Sequence, residues 1–87
     1  GEVLRSRGDW PAARAEHARA LAALETRAGK GSPLLARPLV ALAECERHLG
    51  RGPAARQALQ RALEVMDPGD VALERAARRA LELLPPG

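Results

Sequence analysis

Cys45 and His48 stand three residues apart, a spacing that makes side chains neighbours on a helix. A thiol beside an imidazole is the starting pair of nucleophilic catalysis, but such a pair also needs a third group to orient the base. No Asn or other orienting residue follows, so Cys45 reads as a small packing residue, in line with the usual burial of a free cysteine. His17 falls within an apolar stripe and reads as a filler between helices. Zinc takes about four ligands at recognisable spacing. His17, Cys45 and His48 supply no such spacing, and no metal or cofactor is expected. Gly29-Lys30-Gly31-Ser32 has the glycines and lysine of a phosphate loop but neither the preceding strand nor the longer glycine frame. No catalytic residue emerges, and an enzyme is not expected.

The remaining candidates for chemistry are the charges. Fourteen basic residues face eleven acidic ones, a net charge of +3, and every base except Lys30 is arginine. The arginines alternate with glutamates, as in Arg14-Ala15-Glu16, Glu44-Cys45-Glu46-Arg47 and Glu74-Arg75. That pattern describes solvated helix faces laced with pairs three and four residues apart, rather than a nucleic-acid surface. A single cysteine forms no intrachain disulfide. No apolar run approaches the roughly 20 residues that span a bilayer, and Gly1 to Gly8 lack a basic-then-apolar signal pattern. The expected setting is soluble and cytoplasmic, with no membrane partner.

Helices must position these side chains. Gly8, Gly29-Lys30-Gly31, Gly50-Arg51-Gly52, Pro68-Gly69 and Pro85-Pro86-Gly87 punctuate 87 residues that are otherwise rich in Ala, Leu, Arg and Glu. Asp9 as N-cap, Pro11 in the first turn and Gly29 just past the end predict a helix over 10–28. Ser32 caps a second over 33–49, in which Pro38 requires either a later start near Arg37 or a kink. A third runs from Pro53 to about Met66 and halts before Pro68. A fourth covers 71–84, from Asp70 to Pro85, and residues 2–7 read as the last turns of a helix. Ala55, Ala58, Leu59, Ala62, Leu63 and Met66 form one apolar stripe of helical period, as do Leu35, Leu39, Leu42, Ala43 and Leu49.

The helices repeat. Pro11-Ala12-Ala13-Arg14 recurs as Pro53-Ala54-Ala55-Arg56 and Arg19-Ala20-Leu21 as Arg61-Ala62-Leu63, both 42 residues later, and Gly8 and Gly50 share the offset. Self-similarity at a period of 20–50 residues marks a solenoid of stacked supersecondary units. Ala13 with Ala20, and Ala55 with Ala62, lie seven apart, where small side chains let a neighbouring helix approach closely.

These residues resemble the tetratricopeptide repeat. Gly8-Asp9-Trp10, Ala13 and Ala20-Leu21 are similar to the turn, small residue and closing Ala-Leu of the family's second helix. Leu39, Leu42 and Ala43, followed by Gly50, Ala55, Leu59, Ala62-Leu63 and Pro68, are similar to a complete unit. The long period is most similar to repeats of the kinesin-light-chain type, also found in bacterial signalling proteins. His17, Glu46 and Gly52 depart from it by standing where a large aromatic or Leu is usual. The resemblance implies an all-α fold of antiparallel helix-pair repeats forming a short right-handed solenoid. It also implies a division into a truncated first repeat (1–30), a second repeat (32–67) and a final helix (70–84) that caps the array.

By the same resemblance the first helix of each pair lines a groove that receives a protein partner. Carried over by position, the groove is Arg5, Arg37, Val40, Ala41, Glu44, Arg47 and His48, and its bases imply an acidic protein or peptide. The implied function is non-catalytic protein–protein interaction, with neighbouring repeats of the same chain as further partners. The alternative is a purely structural, capping role beside a bacterial serine/threonine kinase or transcriptional regulator; arginine-mediated nucleic-acid binding ranks last. Leucines of the final helix exposed on its outer side would argue against a cap and for another repeat or a dimer partner.

Overall fold

A computed structural model describes residues 9–84 of the chain. They form four α-helices: α1 (Trp10–Ala28), α2 (Ala36–His48), α3 (Gly52–Val65) and α4 (Val71–Leu83), with a 3-10 turn at Pro33–Leu35 and no strand among the described residues. The expected turns of helix over 2–7, together with Arg5, Gly8 and Pro85-Pro86, lie outside the described residues.

Each helix starts and stops for a local reason. Asp9 Oδ1 accepts the Ala12 N–H at 3.3 Å, and Asp70 Oδ1 accepts that of Leu73 at 3.3 Å, so α1 and α4 begin on side-chain caps. The Gly29 N–H returns to the Glu25 carbonyl at 2.9 Å with φ of 94°, a left-handed conformation that favours glycine and ends α1. Gly50 turns the chain between α2 and α3 in the same region, with φ of 76°.

The second helix differs from expectation at its start. Ser32 Oγ does accept the Leu34 N–H at 3.2 Å, but the first turn is 3-10 and the α-helix starts at Ala36. Pro38 thereby falls in the first α-helical turn, where a missing N–H leaves no acceptor unserved, and no kink is needed.

Packing follows chain order: α1 lies on α2 and the turn before it, α2 on α3, and α3 on α4, with a lighter contact between α2 and α4. Leu21, Leu35, Leu39, Ala43, Ala55, Leu59, Ala62 and Ala77 belong to one continuous buried cluster, with Leu42 and Leu63 half-buried against it. Ala13 is buried as well.

Ala20 corrects the sequence reading. It is exposed, whereas Ala62, its counterpart 42 residues on, has no exposed surface. Among the described residues α3 is covered by both α2 and α4, while α1 is covered on the α2 side only.

The 42-residue period is also less uniform than the sequence repeat implies. From Trp10 to Gly52 the starts of α1 and α3 keep it, but α4 starts 35 residues after α2, because α3 has 14 residues where α1 has 19 and the connection after it, 66–70, is shorter than 29–35. Pro68 stops α3 early and brings the next helix forward.

Candidate functional site

Two junctions hold the groove residues that the sequence put forward, and they differ in kind. Where α1 meets α2, Glu46 Oε1 lies 2.8 Å from Arg14 Nε and 3.2 Å from Arg51 Nε. The sequence placed Glu46 on a solvated face; it is 5% exposed. A buried carboxylate is costly unless paired, and here one arginine from α1 and one from the α2–α3 turn supply the pairing. The Arg51 N–H also reaches the Glu46 carbonyl at 2.8 Å, so the turn and the ion pair fix each other. Thus the acid standing where the family has an aromatic fastens two helices through charge. Arg61 of α3 closes a second bond, to Glu25 Oε2 of α1, and its guanidinium also donates to the Lys30 carbonyl at 3.2 Å.

His48 belongs to this clamped side. Its ring stacks on Trp10, with centroids 3.9 Å apart and planes within 1° of parallel, and Arg47 Nη2 lies 3.3 Å from its Nε2. Its expected place in a groove is therefore corrected: it covers Trp10 at the α1–α2 junction. Arg37 stays largely exposed on α2, with Nη2 at 3.9 Å from Oδ2 of Asp70, the residue that caps α4. Ala41 is half-buried and does not line the cleft described next.

Between α2 and α4, over α3, the chain leaves an open cleft of about 240 Å³. Val40, Ala43, Glu44 and Arg47 line it from α2; Ala76, Arg79, Ala80 and Leu83 line it from α4; Ala55 and Leu59 of α3 and Leu84 complete it. The structure thus brings together Val40, Glu44 and Arg47 of the expected groove and adds a wall from α4.

Sequence reasoning missed that wall because it treated the last helix as a cap. A signal was present: Leu73, Ala77, Ala80, Leu81 and Leu84 fall on one stripe, and Leu83, a neighbour of Leu84 in sequence, cannot share it. Leu84 is buried and Leu83 is 60% exposed. Val71, at the start of the same helix, is also exposed. Leu83 faces the cleft, and its exposure there leaves an apolar side chain on the α4 wall.

The cleft is apolar at its floor and charged at its rim. Arg79 has no ion-pair partner among the described residues, and neither has Glu44. It contains no histidine or cysteine, since Cys45 is buried elsewhere on α2 and His48 covers Trp10. Among the described residues no three His, Cys, Asp or Glu side chains converge as a metal would need. No described helix is long and apolar enough to cross a membrane.

Neither the curated proteins nor the solved structures contain a significant match to the chain. A scan against protein families does find one: residues 1–67 match the tetratricopeptide repeat. That span includes α1, α2 and α3, the two shared sequence blocks and the glycine turns between them. The chain therefore belongs to the tetratricopeptide repeat family.

Proposed function

We propose that the chain is a non-catalytic docking module whose α2/α4 cleft receives a segment of a protein partner. One observation carries this reading: α2 and α4 leave an apolar-floored cleft between them, over α3, with Leu83 exposed on its wall. Helical repeats bury a continuous core by stacking, and the surface that stacking leaves open is available for recognition. The rim supports a partner with acidic character, because Arg47 and Arg79 face one carboxylate, Glu44. The division into a first unit ending near residue 30, a second over 32–67 and a final helix from 70 fits this arrangement, with the final helix acting as the second wall of the site. The long-period subtype and a bacterial signalling context rest on the sequence resemblance alone.

The test is site-specific photocrosslinking in cells of the source organism. A benzophenone side chain at position 83 should capture a discrete partner that is lost when Ala76 is enlarged to Trp, while the same group at exposed Gln60 on α3 should not. Equal capture from both positions would remove the cleft as the docking site.

A further inference from the structure

We propose that α1 is a charge-latched arm, held on α2 and α3 by ion pairs at its two ends and opening as a unit, separately from the apolar core of α2, α3 and α4, when those pairs are lost. The repeated sequence shows why α1 needs a latch. In α3, Ala55, Ala58, Leu59 and Ala62 are buried. The residues 42 positions before them are Ala13, Glu16, His17 and Ala20, of which only Ala13 is buried. Leu21 is the only other buried residue among the nineteen of α1, with Leu24 half-buried beside the core. An apolar stripe holds α3 between its neighbours, and in α1 an acid and an imidazole interrupt that stripe.

Charge does the holding instead. Arg14, in the second turn, reaches Glu46 Oε1 of α2 at 2.8 Å, and Glu25, in the last turn, takes the guanidinium of Arg61 of α3. Trp10 adds its stack on His48. Desolvation offsets most of what a buried ion pair gains, so such a fastening has little net strength, yet removal of one partner disfavours the closed state. The open state is prepared as well. Arg51 stays beside Glu46 at 3.2 Å, with its backbone N–H bonded to the Glu46 carbonyl, so release of Arg14 returns the carboxylate to water with one partner still in place. Gly29 and Gly31, where an added Cβ would meet nothing within 4 Å, flank Lys30 in the exposed connection to α2 and supply the backbone freedom of a hinge.

The attachment of α4 is of another kind. Ala77 has no exposed surface and Leu84 is buried, while the ion pair of Arg37 with Asp70 spans 3.9 Å with Arg37 mostly in water. Breaking ion pairs therefore releases α1 and leaves α4 in place.

The experiment is native-state hydrogen exchange of the 87-residue chain, read by mass spectrometry over 10–28, 36–65 and 71–83. The double variant Arg14→Gln/Arg61→Gln should speed exchange over 10–28 at least about ten-fold and leave the other two regions within about two-fold of the parent, as opening of one unit requires. Leu59→Ala, in the shared core, should speed exchange over all three regions. Raising the ionic strength from about 0.01 M to about 1 M shortens the Debye length from about 30 Å to about 3 Å. Because Arg14 and Arg61 are both partly exposed, that change should speed exchange over 10–28 in the parent and have no such effect in the double variant. A uniform rise over the three regions in the double variant means that α1 belongs to one cooperative unit with the rest, and overturns the proposal. Exchange over 10–28 that ignores ionic strength in the parent, or that is already as fast as in an unfolded chain, overturns it too.

Discussion

At the α1–α2 junction a carboxylate that is 5% exposed holds two arginines, a tryptophan lies flat on a histidine, and Glu25 ties α1 onward to Arg61 of α3. At the α2–α4 junction the cross-helix ion pair is Arg37 with Asp70, at 3.9 Å and with Arg37 mostly in water. The rest of that junction is an apolar cleft rimmed by arginine and leucine. A surface whose charges are already matched has little left to offer a partner, whereas unmatched guanidinium groups beside exposed leucine have much. The contrast teaches that one junction is secured by matched charge while the other is left open, which is why the proposed docking is placed there.

The largest change should come from the core beneath both junctions. Leu59 is 1% exposed, packs under the cleft and lies in the stripe that α2 covers, so Leu59→Ala should cost about 2–5 kcal/mol in urea denaturation. Next comes Ala62→Leu, which forces extra methylenes into a site with no exposed surface; a loss of about 1–3 kcal/mol and a lowered Tm are expected. A Tm equal to that of the parent would mean that the close approach of α3 to its neighbours is not a constraint.

Two arginines then sharpen the comparison directly. Arg14→Ala removes one of the two partners of buried Glu46 and should cost about 1–2 kcal/mol, less than full isolation of the charge because Arg51 remains. Arg79→Ala, on the open side, should change stability by no more than about 0.5 kcal/mol while weakening docking. Similar losses from both arginines would erase the distinction between the junctions. Trp10 is the sole tryptophan and stacks on His48, so its fluorescence reports the clamped side in each unfolding experiment.

The helices were largely legible in the sequence because local chemistry decides them. Asp9, Asp70, Gly29 and Gly50 each do in the structure what their residue types do in isolation, and apolar periodicity found Leu39, Ala43, Ala55, Leu59 and Ala62 in the core. Glu46 was not legible. Its burial depends on Arg14, 32 residues away, and nothing in Glu44-Cys45-Glu46-Arg47 tells which acid turns inward. His48 was misplaced for a related reason, since its partner Trp10 lies on another element. The position of α4 was legible, but its part in the cleft was not, because the last helix was read as a cap and its pairing with α2 depends on how α3 packs between them.

The most direct test follows backbone amide chemical shifts of the isotopically labelled chain during titration with a short acidic peptide that carries leucines. Perturbations concentrated at Val40, Arg47, Ala76, Arg79 and Leu83, with Trp10, Arg14 and Glu46 unmoved, are the predicted result. Perturbations centred on α1 and the Glu46 clamp, with the cleft silent, would contradict the division between a junction that secures and one that recognises.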